Sequence, residues 1–201
     1  MEENSMDPNV WGPSLWDLLF YIACNVDIKT QYDRILSLFQ LLETMLPCSQ
    51  CRRHYATYRA EVPPLSQIKR NKPESAAIWL WVIHDMVNQS IGKHCISYEK
   101  VKKKHEALTC IVSDTSVFDC FMFIWFSSKK KIKLAEGLQI TLDLLKSIQH
   151  FHICTILQDK IDETWKESDM LDAKNKILSL YGKKEQTLDE FIKQYSSAIA
   201  E

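Results

Sequence analysis

From Gln31 to Met45 the apolar residues Ile35, Leu36, Leu38, Phe39, Leu42 and Met45 recur at helical spacing and form one broad face. The same spacing runs through GPSLWDLLFYIAC, from Gly12 to about Cys24, where Pro13 suits a first helical turn because its missing N–H has no partner to lose there. Runs that alternate with period two are few, and only four of 201 residues are glycine. Together these features predict an all-α protein rather than a sandwich.

Further helices are expected along the chain. Pro47 ends the second and sits in the first turn of a third, which places Cys48 and Cys51 near unsatisfied backbone N–H groups. A fourth runs from about Pro73 to Ile91 and ends at Gly92, with Lys93 beside it. A short fifth follows Ser97, so that the first hundred residues read as a four- or five-helix bundle. Helical patterns continue at Val117–Phe126, Leu138–Gln158, Ile161–Leu180 and Leu188–Ile199, with no internal repeat apparent and no clustering of catalytic residue types. A boundary near 105–112 therefore divides a domain at 1–108 from a helical extension at 109–201, whose expected role is oligomerisation or partner binding.

Charge and targeting patterns exclude several function classes. Twenty-five basic residues nearly cancel twenty-six acidic ones, which argues against nucleic acid or an anionic membrane as the main partner. The run Lys129, Lys130, Lys131 and Lys133 reads as a solvated loop or helix end. The N-terminus has acidic residues where a secretory signal carries positive charge. The longest apolar stretch, VFDCFMFIWF at 117–126, is about half a membrane span and contains Asp119, so it reads as a buried or partner-facing helix.

Seven cysteines without an export signal argue against a secreted disulfide scaffold. The pair Cys48-Ser-Gln-Cys51 can close a small disulfide loop, and the partial positive charge of a helix N-terminus favours a thiolate there. Zinc is the alternative: Cys48, Cys51 and His54 offer three ligands within one and a half turns, but no second pair of matching spacing completes a site. Cys110, Cys120 and Cys154 read as buried apolar residues. On the fourth helix Ala77, Trp81, His84 and Asn88 share a face, which supplies apolar walls and hydrogen-bonding groups for a planar ligand.

Three segments, WGPSLW at 11–16, LPCSQC with His54 and Tyr55 at 46–55, and WLWVIHDMVNQSIGK at 79–93, resemble the Erv/ALR family of FAD-dependent sulfhydryl oxidases in order and separation. The resemblance covers roughly residues 9–105. It implies a helical bundle that grips FAD beside a redox disulfide. Cys48 would exchange with a substrate dithiol, and Cys51 would face the flavin. The expected cofactor contacts are Gly12, Trp16, Phe20, Cys51, Tyr55, His84, Val87, Asn88, Lys93 and Tyr98, with no metal. Implied partners are a protein dithiol, thioredoxin-like or from a virion, O2 as acceptor with H2O2 as product, and a second copy in a homodimer.

The chain departs from the family pattern in places. Phe20 stands where many members carry histidine, and Asp85 replaces the Asn beside His84. Trp81 and Tyr98 occupy the positions of the family's structural disulfide. No second CxxC or CxC is present to act as a shuttle, so electrons are expected to arrive at Cys48 directly. The resemblance is nearest to the short forms of large cytoplasmic DNA viruses. That implies the host cytoplasm or the virion, with the mitochondrial intermembrane space as the competing placement.

Overall fold

A computed structural model describes residues 5–106, 112–127, 131–148, 151–158, 160–196 and 199–200. Cys110, Lys129, Lys130 and the expected boundary at 108/109 lie outside them. Five helices occupy the first half: α1 Pro8–Asn25, α2 Ile28–Met45, α3 Ser49–Glu61, α4 Ser75–Ser90 and α5 Tyr98–Glu106. Five more follow, α6 Asp114–Ser127, α7 Lys131–Ile148, α8 His152–Ile156, α9 Glu167–Leu180 and α10 Leu188–Ser196. The protein is all-α apart from a two-residue strand, β1 Ser5–Met6, paired antiparallel with β2 Ile199–Ala200.

Side-chain caps set most of the differences from the sequence reading. The Asp7 carboxylate accepts the Asn9 N–H at 2.9 Å, so α1 begins at Pro8 and Pro13 falls inside the helix rather than in its first turn. Asp27 caps α2 in the same way, three residues before the expected start. The single helix expected over 138–158 is two. Phe151 is extended, and the Ile153 N–H that opens α8 donates to buried Asp114 on α6 at 2.9 Å, a tertiary cap that no local pattern reveals. Over 161–166, Asp162 accepts the Thr164 N–H at 2.7 Å, and this local turn competes with the helix until Glu167.

One continuous core runs through both halves. Helix α1 packs on α4, α5, α6 and α7, while α2 packs on α3 and most extensively on α7. Where α2 and α7 cross, Gly137 lies against Met45, and a Cβ on residue 137 would overlap the Met45 thioether. Helix α6 is the apolar stretch of the sequence. Val117, Phe118, Phe121 and Met122 are all fully buried, so it is a core helix and not a partner-facing one. Lys131 is half-buried at the start of α7 with its ammonium over the Trp125 ring at 4.5 Å, unlike the solvated lysine expected there. No helix among the described residues is long and apolar enough to cross a membrane.

Candidate active site

The turn before α3 is held from three sides. Cys48 is the N-cap of α3, with φ −119° and ψ 126°, and its sulfur accepts the Cys51 N–H at 3.1 Å. Arg52 donates to the Leu46 carbonyl at 2.6 Å, and the Met6 N–H donates to the Pro47 carbonyl at 3.1 Å. Cys48 and Cys51, with Cα atoms 5.0 Å apart, are joined as a disulfide. Among the described residues no three His, Cys, Asp or Glu side chains are grouped to hold a metal ion, and the zinc set of Cys48, Cys51 and His54 is therefore not formed. Substrate was expected to reach Cys48, and Cys51 to face inward, yet Cys48 is 5 % exposed and Cys51 half-buried.

The disulfide lies on the wall of a cavity of about 1190 Å³ between α1, α3, α4 and α5. Interiors this well packed hold few voids larger than a water, so an opening of this size is shaped for a large ligand. Gly12, Trp16 and Phe20 enter it from α1, Cys48, Cys51 and Tyr55 from α3, His84, Val87 and Asn88 from α4, and Lys93 from the loop beyond. The open face of Gly12 leaves the α1 backbone accessible. Tyr55 is anchored by its hydroxyl, which donates to the Phe39 carbonyl at 2.6 Å. Tyr98 is the exception among the expected contacts. It is not part of the lining and instead meets Trp81 edge-on at 6.2 Å, while the Trp81 indole donates to the Ile96 carbonyl at 2.7 Å. This aromatic pair occupies the positions where the family resemblance implies a structural disulfide.

At the centre of the wall the His84 ring lies 4.5 Å from Trp16 and 5.5 Å from Phe20, centroid to centroid. Burial pushes the His84 pKa down to about 4, so the imidazole is neutral at neutral pH and serves as an aromatic, hydrogen-bonding surface. Asp17, Lys100, Lys104 and His105 are among the cavity residues that went unnoticed in the sequence. Buried His105 holds Asp17 through Nε2 at 3.0 Å and meets the Val101 carbonyl through Nδ1 at 2.8 Å. Burial acts to raise the Asp17 pKa, but the His105 and Lys104 hydrogen bonds outweigh it and hold the carboxyl below its usual range. The run KVKKKHE hid a helical face on which Lys100, Lys104 and His105 are neighbours. An aromatic wall of mutually tilted rings at one side and several lysines at the rim suit an apolar ring system with an anionic portion. A second cavity, of about 670 Å³ beside Trp79 and Pro63, contains no cysteine or histidine.

The Erv1 / Alr family model matches residues 13–106. The matched segment is similar to the FAD-linked sulfhydryl oxidase of African swine fever virus (isolate Pig/Kenya/KEN-50/1950), 28 % identical over 100 residues that cover 48 % of this chain and 80 % of that one. It also matches the probable FAD-linked sulfhydryl oxidase R368 of Acanthamoeba polyphaga mimivirus, 28 % identical over 108 residues, 52 % of this chain and 75 % of the relative. FAD-linked sulfhydryl oxidase ERV1 of Oryza sativa subsp. japonica is 26 % identical over 102 residues, 49 % of this chain and 50 % of the relative. No solved structure matches the chain significantly. The matched residues contain the disulfide and every lining position of α3, α4 and α5.

Proposed function

We propose that residues 1–108 form a flavin-linked thiol oxidase that makes disulfides in protein substrates, and that 109–201 contribute no redox group. The single observation that carries this reading is the Cys48–Cys51 disulfide set in the wall of the Trp16–His84 cavity. The relatives' names support the cofactor, and the residues present fit it. Trp16, Phe20 and His84 provide an aromatic wall for a ring system, and Lys93, Lys100 and Lys104 provide positive charge for a diphosphate. When bound, FAD supplies a two-electron acceptor that O2 re-oxidises with release of H2O2.

The protein's own steps are thiol exchange. A substrate thiolate attacks one sulfur of the Cys48–Cys51 disulfide, and the other sulfur leaves as a thiolate. The second substrate thiol then displaces the bound sulfur, so the substrate gains a disulfide and the enzyme pair is left reduced by two electrons. We assign Cys48 to the exchange role and Cys51 to the leaving role. Cys51 sits in the first turn of α3, where the N-terminal partial charge favours a thiolate. Neutral His84 packs in the wall without adding charge, and Asp17 fixes the orientation of His105, whose ring lies 5.4 Å from that of Phe20. The viral relatives favour a role in the host cytoplasm or virion, with virion or thioredoxin-like proteins as substrates.

The test is a visible absorbance spectrum before and after addition of a dithiol under air. The expected result is a flavin band that bleaches and then recovers while peroxide accumulates. Folded protein that neither carries nor takes up FAD overturns the assignment.

A further inference from the structure

We infer that the C-terminal half is a second, emptied copy of the same five-helix unit, which packs on the first as a built-in partner subunit. The clearest mark is at the ends of α4 and α9. Gly92 and Gly182 both take a left-handed conformation, with φ 69° and 63°. The Lys93 N–H donates to the Asn88 carbonyl at 2.9 Å, and the Lys183 N–H to the Leu178 carbonyl at 2.9 Å. Gly92 and Gly182 donate to Gln89 and Ser179, each at 3.1 Å. After the same interval each chain segment enters a nine-residue helix, α5 or α10, through Val101 N–H to Ser97 O and Phe191 N–H to Thr187 O.

The remaining elements follow in the same order. Helices α2 and α7 both have 18 residues. Cys48 and Phe151 are both extended N-caps, of α3 and α8, and Cys154 stands in α8 where Cys51 stands in α3. The packing pairs also repeat: α1 on α4 and α5 becomes α6 on α9 and α10, α2 on α3 becomes α7 on α8, and α3 on α4 becomes α8 on α9. Five helices in one order with one set of neighbours define a repeat, although the two sequences have diverged too far to display it.

The cavity of the first unit is closed in the second by its own counterpart residues. Asp17, His84 and His105 correspond to Asp119, Lys174 and Tyr195. The Lys174 ammonium lies 2.5 Å from the Asp119 carboxylate and 5.4 Å from the Phe118 ring, and the Tyr195 hydroxyl donates to Asp119 at 2.6 Å. Lys174 and Tyr195 are buried, so the ion pair fills the space that the first unit leaves open. With Phe151 in place of Cys48 the second unit has no dithiol, and it is therefore neither a cofactor site nor a redox site.

The contact between the units is made chiefly by equivalent helices, α2 with α7 and α1 with α6, with a smaller contact of α1 on α7. Like against like is the signature of a two-fold interface. Helices α2 and α7 run antiparallel, since Arg34 meets Asp143 at 3.6 Å while Met45 meets Gly137. The α1–α2 surface that faces the second unit is thus covered within the chain, and this internal pairing stands in place of the homodimer implied by the family resemblance. This inference does not rest on the oxidase reading, because it concerns packing alone.

The experiment combines sedimentation equilibrium of the full chain with disulfide trapping in the Met45→Cys/Gly137→Cys variant. The expected mass is that of the monomer, 23.5 kDa, with the engineered link formed inside one chain on peptide mapping. A homodimer of the unmodified chain, or a link formed between two chains, overturns the proposal. Should the double variant fail to fold, the mass of the unmodified protein decides alone. Failure to bind FAD would sink the function proposed above and leave this result untouched.

Discussion

The His84 imidazole lies 4.5 Å from the Trp16 indole, joining α4 to α1 across the cavity wall. Burial holds this ring neutral by lowering its pKa to about 4 from 6.5. A depressed histidine pKa contributes stability that is fully present above about 6.5 and is lost as pH falls towards 4. The Tm of the FAD-free protein should therefore drop over that window, and His84→Phe should reduce the slope. An unchanged slope in the variant would remove His84 as its source.

His84→Ala should weaken FAD binding roughly tenfold, which corresponds to about 1.4 kcal/mol, comparable with one aromatic contact. Thiol exchange at Cys48 should be little affected. Titration of FAD into the cofactor-free variant, followed by fluorescence quenching, measures the first effect directly.

The two cysteines can be separated by trapping. In Cys51→Ser the Cys48 thiolate should displace thionitrobenzoate from a single-cysteine substrate that carries it in a disulfide, and so accumulate the substrate as a mixed disulfide, whereas Cys48→Ser should trap none, and both should lose turnover. Because the Met6 N–H holds the Pro47 carbonyl next to Cys48, removing residues 1–6 should loosen the turn and speed trapping in the Cys51→Ser background. Mass spectrometry of the adduct checks both points, and trapping on Cys51 alone would reverse the assignment of roles.

Breaking the buried pair in the second unit should be costly. Lys174→Met leaves the Asp119 carboxylate, 27 % exposed, beside Tyr195 with its cation gone, and should destabilise the protein by about 1–3 kcal/mol. Lys174→Met combined with Asp119→Leu should recover much of that loss, because well-packed apolar groups often replace a buried ion pair at little cost. Thermal unfolding of the two variants tests this; equal Tm values would contradict it.

The Trp81–Tyr98 contact ties α4 to α5 where no disulfide does. Trp81→Ala removes both the ring contact and the indole hydrogen bond to Ile96, and for a half-buried side chain should cost about 2 kcal/mol. Chemical denaturation should show a lower midpoint, and an unshifted midpoint would deny the pair a stapling role.

Much of the site was legible in the sequence because its residues belong to local patterns. The CxxC behind a proline marked a helix start, and the Gly92-Lys93 cap marked the end of α4. Trp16, His84 and Asn88 were found on helical faces by spacing and by resemblance. Asp17 and His105 escaped notice because 88 residues separate the members of their hydrogen bond, and no local rule links them. Tyr98 was drawn into the site by position alone, while in the structure its ring is committed to Trp81.

By itself the sequence determined the all-α class, the redox pair and the outline of the first five helices, since each depends on interactions within a few residues. The tertiary structure decided where helices break, as with the Asp114 cap that separates α8 from α7. It also decided which cysteine is covered, and it revealed the second unit. Repeats persist in helix order, caps and packing after side chains diverge, because many apolar residues can fill a core while a left-handed glycine or an N-cap is harder to replace.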